Sequence, residues 1–145
     1  MHTVQRSVLL PYKASQMFDL VADVEKYPEF MPWCGGAAIR ETFEGGMVAS
    51  VTISLAKIKQ TFTTRNTHTY PDKIELQLID GPFSKLNGTW EFIALDEDAC
   101  KVLFTLEYAF NNKALELLVG PVFNRIANSF IDSFTKRAQI CYGDR

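Results

Sequence analysis

The stretch CKVLFTLEYAFNNKALELLVGPVFNRIANSFIDSFTKRAQICYG, residues Cys100–Gly143, changes its hydrophobic period near its middle. In the first part apolar and polar residues alternate, which predicts a β-strand with one apolar face formed by Val102, Phe104, Leu106, Tyr108 and Phe110. After Asn111 and Asn112, either of which can cap a helix, apolar residues recur at helical spacing. The stretch therefore predicts a strand followed by an amphipathic helix of about thirty residues that ends at Gly143.

The residues before this stretch predict one shorter helix and further strands. Thr3–Leu10 alternates and stops at Pro11, and Ser15–Tyr27 has one apolar helical stripe that Pro28 ends. From Ala37 onward the period is two, broken by turns at Gly45-Gly46, Pro71-Asp72, Gly81-Pro82 and Asp96-Glu97-Asp98. The order is typical of an α+β fold, with helices on one face of a twisted antiparallel sheet of about seven strands. We expect residues 1–145 to form a single domain.

The composition is that of a globular protein and argues against several classes. Of the 145 residues, 47% are apolar and 22% charged, and the eleven phenylalanines belong in a core or an apolar cavity. A net charge of −2 argues against a dedicated nucleic-acid binder, although it leaves room for a local basic patch. The three cysteines lie far apart and have no metal-site spacing with the two histidines, so we expect no metal. Without a signal peptide or membrane span, the sequence predicts a cytoplasmic protein.

A second short stretch, YPEFMPWCGG at Tyr27–Gly36, combines three aromatic rings with two prolines and a glycine pair. Such a segment cannot continue a helix or strand, and it either plugs a core or lines a space that holds a guest. A twisted sheet does not lie flush along one long helix. The gap between sheet and helix must therefore be filled by side chains or left as a cavity, and we place this segment beside it.

Four motifs in this order carry a resemblance to a known family. They are LPYKASQMFDLVADVEKYPEFMPWC (residues 10–34), KQTFTTRN (59–66), LIDGPFSKLNGTWEF (78–92) and FNNKALELLVGPVFNRIANSF (110–130). Together they resemble the bacterial ribosome association toxin family, which is similar to the coenzyme-Q-binding START-like proteins of the polyketide cyclase superfamily. The resemblance covers essentially the whole chain. It implies a START-like helix-grip fold, in which the sheet wraps around the long C-terminal helix.

The resemblance implies two functions. In the quinone-related branch a cavity binds ubiquinone or a polyprenyl precursor as a ligand, without a cofactor, and supports respiration. In the toxin branch the protein contacts the large ribosomal subunit and blocks subunit association. We expect non-enzymatic binding of a hydrophobic, lipid-like ligand, with ribosome binding as the alternative. Transient contact with a membrane surface fits the first function, and neither calls for a DNA partner.

Aromatic residues are the candidate ligand contacts, although each also serves as core. We place four at the mouth of the cavity and six on its walls: Tyr27, Phe30, Trp33 and Phe83 at the mouth, and Phe62, Trp90, Phe104, Tyr108, Phe123 and Phe130 on the walls. Asn66 and His68 share the parity of Phe62 and can give a head group its hydrogen bonds, or can lie at a solvated strand end. The glycine pair Gly35-Gly36 or the kink expected at Gly120-Pro121 can open the cavity.

Catalysis is the third and weakest interpretation. A cyclase needs a titratable group inside the cavity, but Glu91 and Glu107 have the opposite strand parity to their aromatic neighbours and should face water. For the ribosome, the candidate contacts are cations that can equally serve solubility: Lys57, Lys59, Arg65, Arg125, Lys136, Arg137 and Arg145.

Overall fold

The computed structural model describes residues 2–143. In chain order the elements are β1 His2–Leu10, α1 Ala14–Ala22, a 3₁₀ helix Val24–Glu29, β2 Cys34–Phe43, β3 Gly46–Leu55, β4 Ile58–Thr69, β5 Lys73–Asp80, β6 Phe83–Asp96, β7 Ala99–Phe110 and α2 Lys113–Tyr142. The candidate ribosome contact Arg145 lies outside the described residues.

The strands form one antiparallel sheet in the order β1-β7-β6-β5-β4-β3-β2. Strands β2 to β7 are joined to their sequence neighbours by hairpins, while β1 crosses over to pair with β7. This arrangement with a long C-terminal helix confirms the predicted START-like α+β fold. The predicted alternation of β7 is also confirmed, because its even-numbered residues from Cys100 to Phe110 are buried.

Both helices cover the inner face of the sheet, but they cover it unevenly. Helix α2 packs against β1, β7 and α1 through a buried stripe that includes Val119, Phe123 and Phe134. Long-range hydrogen bonds hold this helix to the N-terminal part of the chain: Tyr12 Oη donates to the carbonyl of Gly143 over 2.7 Å. The inner face of β3–β5 lies away from α2, and the gap there is closed by the segment that follows α1.

The first helix is shorter than predicted. It ends at Ala22, and the chain continues as the 3₁₀ helix, with Pro28 inside it. The prediction of one helix up to Tyr27 was wrong because Asp23 leaves the helical conformation, with φ −83° and ψ 64°, although the apolar stripe continues past it. The tighter 3₁₀ turn turns the Tyr27 ring towards α2, where it lies 5.5 Å from the Phe134 ring.

Helix α2 matches its predicted limits. Its N-cap is Asn112, whose Oδ1 accepts a hydrogen bond from the backbone N–H of Leu115, and its C-cap is Gly143. The helix continues through Pro121, where the carbonyl of Leu117 loses its helical N–H partner. No helix within residues 2–143 is both long and apolar enough to cross a membrane.

Gly35 acts in packing where the sequence suggested a hinge. A Cβ on this residue would lie 2.8 Å from Cβ of Ser54, so only glycine lets β2 pass β3 at this distance. The backbone N–H of Ser54 donates a 2.7 Å hydrogen bond to the carbonyl of Trp33 at the same point. The close approach therefore fixes the backbone of Trp33 against the sheet.

Candidate ligand-binding cavity

A cavity lies between the segment after α1, the inner face of β3–β6 and the C-terminal half of α2. Its volume is about 70 Å³, and a single water needs about 10–15 Å³ of such space. It is lined by Val21, Ala22, Val24, Tyr27, Met31, Trp33, Ala49, Val51, Phe62, Thr64, Asn66, His68, Ile74, Leu76, Trp90, Phe130 and Phe134. The lining is predominantly apolar, as in sites for small hydrophobic molecules.

Tryptophan and phenylalanine rings form part of the cavity wall. The ring of Trp33 lies 5.6 Å from that of Phe130, and the ring of Trp90 lies 5.3 Å from that of Phe134. These centroid distances are those of attractive ring pairs. Each tryptophan therefore borders the cavity in contact with a phenylalanine of α2.

Strand β4 supplies a row of polar side chains to this apolar space. Phe62, Thr64, Asn66 and His68 point inward because alternate residues of a strand share a face. Thr64 and Asn66 are 6% and 5% exposed, which is rare for polar residues without a function or a network. Thr64 Oγ1 donates a 2.6 Å hydrogen bond to Oδ1 of Asn66, so the amide NH₂ group of Asn66 remains for another partner.

Two buried nitrogen atoms at the cavity have no hydrogen-bond partner within residues 2–143. They are Nε1 of Trp33, on a side chain only 6% exposed, and Nε2 of His68. Burial lowers the pKa of His68 from 6.5, which favours the neutral imidazole near neutral pH. An unsatisfied buried donor costs about 1–3 kcal/mol, so a ligand that accepts these bonds recovers that free energy.

The remaining ionisable group of the lining, Tyr27, is already engaged. Its hydroxyl donates to the carbonyl of Val21, and burial raises the pKa of Tyr27 well above its usual value. No carboxylate, lysine or arginine belongs to the lining among residues 2–143. The cavity thus presents neutral hydrogen-bonding groups and no charge. The same residues bring no three metal-ligating side chains together.

The structure brings five of the ten predicted ligand contacts together around the cavity: Tyr27, Trp33, Phe62, Trp90 and Phe130. Four others form the ring cluster beside it and are at most 3% exposed: Phe83, Phe104, Tyr108 and Phe123. Their space is filled by one another, as the 4.7 Å separation of the Tyr108 and Phe123 rings shows. Phe30, predicted at the mouth, packs on the outer side of Phe134. As ligand contacts, all ten stay predictions.

Several lining residues were not among the predicted contacts, although strand parity could have found them. In the sheet register Phe62 faces Val51, Thr64 faces Ala49, and His68 faces Ile74. Because paired residues point to the same side, the parity of Phe62 extends to its neighbours on β3 and β5. Phe134 follows Phe130 by one helical turn, which is the equivalent signal on α2.

The segment from Tyr27 to Trp33 closes the cavity. Arg137 of α2 holds it from outside through contacts with Glu29 and Phe30. Arg137 Nη2 donates a 2.9 Å hydrogen bond to Oε1 of Glu29, and its guanidinium carbon lies 4.9 Å from the Phe30 ring centroid. The guanidinium lowers the pKa of the Glu29 carboxyl. On the other side, the backbone N–H of Ile39 donates to Glu25.

Comparison with known proteins shows the family to which this chain belongs. The family model described as "Polyketide cyclase / dehydrase and lipid transport" matches residues 10–135. The crystal structure of the Zhui aromatase/cyclase from Streptomyces sp. R1128 superposes with a TM-score of 0.84, at 16% identity and 99% coverage of both chains. At that identity the likeness shows the fold alone.

Two curated relatives carry more informative names. A Vibrio cholerae protein named "Ribosome association toxin RatA" is 47% identical, covering 99% of this chain and all of that protein. A Xenopus laevis protein named "Coenzyme Q-binding protein COQ10 homolog B, mitochondrial" is 23% identical, over 94% of this chain and 58% of that one. The chain therefore belongs to the polyketide cyclase, dehydrase and lipid transport family, within the group of relatives named ribosome association toxin.

Proposed function

We propose that this chain is a non-enzymatic binding protein for a hydrophobic, lipid-like molecule, of the class of ubiquinone or its polyprenyl precursors. One observation carries the proposal: an otherwise apolar cavity contains the oriented amide of Asn66 and the unpartnered nitrogens of Trp33 and His68. A core that only stabilises the fold would gain nothing from these hydrogen-bonding groups. The more distant relative named for coenzyme Q binding supports the same class of ligand.

The chemistry of the lining suggests what the ligand carries. Asn66 and Trp33 offer N–H donors, which suit carbonyl or methoxy oxygens, and neutral His68 can donate or accept. The absence of a cation in the lining disfavours carboxylates and phosphates, whose burial requires a partner charge. A neutral ring with one or two oxygens and an apolar tail meets these conditions. Each buried CH₂ of the tail adds at most about 0.8 kcal/mol.

The cavity must enlarge to take such a molecule. Sites for drug-sized ligands measure about 300–1,000 Å³, several times the 70 Å³ seen here. The Tyr27–Trp33 segment begins at the end of the 3₁₀ helix and continues without regular structure to β2, and Arg137 of α2 holds it from outside through Glu29. We propose that its outward movement, with release of the Glu29–Arg137 contact, admits the ligand.

The same lining supports binding without catalysis. General acid–base chemistry requires a group that titrates in reach of the substrate, and among residues 2–143 His68 is the one histidine of this lining, with its pKa lowered from 6.5 by burial. It has no carboxylate neighbour in the lining to orient or charge it. Since the superposed aromatase/cyclase shares only the fold, it gives no reason to assign its reaction to this chain.

Mass spectrometry of organic extracts from the purified protein, compared with a mock purification, tests the proposal. A co-purified quinone or isoprenoid precursor would identify the ligand. Ubiquinone with a single isoprene unit is then titrated against the protein and followed by quenching of Trp33 and Trp90, both in the cavity wall. An empty extract together with no quenching contradicts ligand binding.

We propose, as a second function, association with the large ribosomal subunit in the cytoplasm. The specific observation is the relative named ribosome association toxin, which is 47% identical over essentially its whole length. Co-sedimentation of the protein with purified large subunits tests this, and a signal that weakens with salt would mark a charged interface. If ligand binding fails, this candidate becomes the leading one. In both functions we treat residues 1–145 as one START-like domain.

A further inference from the structure

We propose that the outer face of strands β2–β4 is the surface that contacts the phosphate backbone of ribosomal RNA. This inference rests on the second proposed function, ribosome association, and names its interface and its partner. The surface, called here the basic sheet face, carries the exposed cations Arg40, Lys57, Lys59 and Arg65. It lies on the opposite side of the sheet from the cavity.

Strand parity creates this face. On β4 the inward residues Phe62 and Thr64 line the cavity, so Lys59, Thr61 and Arg65 point outward. The register pairs Ser54 with Lys59 and Thr52 with Thr61. One strand therefore serves both surfaces, with aromatic and polar ligand contacts on one side and cations with hydroxyls on the other.

A ladder of hydroxyl groups crosses the face. Thr52 Oγ1 and Thr61 Oγ1 are 2.8 Å apart, and Ser50 Oγ and Thr63 Oγ1 are 2.7 Å apart. Arg40 Nε donates a 3.1 Å hydrogen bond to Ser50 Oγ, which joins β2 to the ladder. Cationic and hydroxyl side chains are the groups that proteins use most for phosphate oxygens.

The four cations of the face are not neutralised by the protein itself. Within residues 2–143 none of them forms an ion pair, whereas Lys26, Lys73 and Arg137 each do. The chain as a whole has a net charge of −2. Seven of its acidic residues lie elsewhere, around α1 and in the β6–β7 turn: Asp19, Asp23, Glu25, Glu29, Asp96, Glu97 and Asp98. On strands β2–β4 the one carboxylate is Glu41, which is paired with Val48, the neighbour of Arg65, so the four cations of the face stand against one acidic residue on these strands. A locally positive surface on a negative protein favours a polyanionic partner.

The face has small residues at its β2 edge. Gly36 and Ala38 are paired with the outward residues Thr52 and Ser50, and a Cβ on Gly36 would meet nothing within 4 Å. Small residues let a bulky backbone approach the strand closely. At the last residue of β2, the guanidinium carbon of Arg65 lies 3.9 Å from the centroid of the Phe43 ring, which holds the charge against this face.

The cations of α2 make a weaker case for the same role. Arg137 is occupied by Glu29 and Phe30. Arg125 and Lys136 lie on one side of the helix about 16 Å apart, at 1.5 Å per residue. Asp132 stands between them, one turn before Lys136. The structure therefore favours the cations of the basic sheet face over those of α2 as ribosome contacts, a choice that the sequence left open.

A matched pair of double variants tests the inference by co-sedimentation with purified large ribosomal subunits. Lys59→Glu with Arg65→Glu changes the basic sheet face, and Arg125→Glu with Lys136→Glu makes the same charge change on α2. We expect the first variant to lose about tenfold or more in affinity and to flatten the salt dependence by about 1.5 in log–log slope, since each phosphate contact contributes about 0.7–0.9. The second is expected to bind within about twofold of the parent.

The outcomes separate the inference from the function on which it rests. If the parent protein does not sediment with subunits, ribosome association itself is wrong. If the parent binds and both variants lose affinity equally, net charge rather than this face determines binding. Binding to protein-free RNA of the large subunit by the parent, lost in the sheet variant, supports RNA as the partner. Subunit binding without binding to that RNA overturns it. Circular dichroism verifies that both variants are folded.

Discussion

Thr64 Oγ1 donates a 2.6 Å hydrogen bond to Oδ1 of Asn66, two residues further along the same face of β4. The bond fixes the orientation of the Asn66 amide, which belongs to the cavity lining, and leaves its NH₂ group as a donor for another partner. Since both side chains are at most 6% exposed, water competes little with this arrangement. Thr64 is therefore a positioning residue and Asn66 the donor that it positions.

Replacing Asn66 by leucine is expected to lower the affinity for single-isoprene ubiquinone about tenfold. The substitution replaces the amide with an apolar side chain of similar size and so removes the donor. One hydrogen bond is worth about 1–1.5 kcal/mol. Thr64→Val should have a smaller effect in the same direction, because the amide is then free to turn. Fluorescence titration measures both. Thr61→Val on the outward face of β4 is the matched control. Equal affinities in all three variants would contradict the role of Asn66 as a ligand donor.

Trp33→Phe is expected to lower ligand affinity without lowering the free energy of unfolding. Phenylalanine keeps the ring contact with Phe130 but removes the unpartnered Nε1–H group, so the free energy of unfolding stays level or rises. If that N–H serves the ligand, affinity falls. Urea unfolding and the titration supply the two readouts. Trp90→Phe, at the other tryptophan of the cavity lining, is the control, and a Trp33 variant with parental affinity would show that the indole nitrogen is not used.

Release of the Glu29–Arg137 contact is expected to speed ligand exchange. Arg137→Ala removes both the hydrogen bond to Glu29 and the guanidinium over Phe30, which hold the closing segment to α2. Stopped-flow mixing should show faster association and dissociation, with a smaller change in their ratio. Lys136→Ala, its neighbour on the exposed side of α2, should leave both rates at the parental values. Unchanged rates in Arg137→Ala would place the entrance elsewhere.

The same contact predicts a pH dependence of exchange. The Arg137 guanidinium lowers the pKa of Glu29 below its ordinary 4.5. A carboxyl with a lower pKa in the folded protein stabilises the fold above its unfolded pKa, and that contribution is lost as pH falls through the folded value. Ligand exchange should therefore accelerate below about pH 4.5 in the parent. A Glu29→Gln variant should lack this acceleration, and an equal acceleration in both would attribute it to another group.

Alanine substitutions at Phe104 and Phe130 are expected to distinguish a core residue from a residue of the cavity wall. Phe104 is fully buried and lies 4.4 Å from the Trp90 ring, so Phe104→Ala should cost about 3–5 kcal/mol of unfolding free energy. Phe130 is half-buried and borders the cavity, so Phe130→Ala should cost less stability and more ligand affinity. Chemical denaturation and titration decide, and equal stability losses at both positions would contradict the distinction.

Periodicity predicted the elements well where local chemistry was sufficient. The alternation of β7, the asparagine cap and glycine end of α2, and the glycine turn between β2 and β3 all depend on neighbouring residues. The first helix was overextended because its apolar stripe continues past Ala22. Asp23 there leaves the helical conformation, and the restriction imposed by Pro28 reaches only the residue before it.

The candidate site was also predictable only in part. Strand parity alone placed Phe62, Asn66 and His68 on one face, because alternation needs no tertiary knowledge. It could not tell a ring that borders a space from one that fills it. Phe123 and Phe130 both lie on the inner side of α2, yet Phe123 is enclosed by Tyr108 and Phe83 while Phe130 borders the cavity.

The sequence by itself determined the α+β order of elements, the inward and outward faces of each strand and, through its motifs, the family. These follow from residue types at fixed spacing. Only the tertiary structure decided that Thr64 orients Asn66, that Trp33 Nε1 lacks a hydrogen-bond partner within residues 2–143, and that Arg137 binds Glu29. The reason is that each depends on atoms brought together by the twist of the sheet and the packing of α2, which no local pattern encodes.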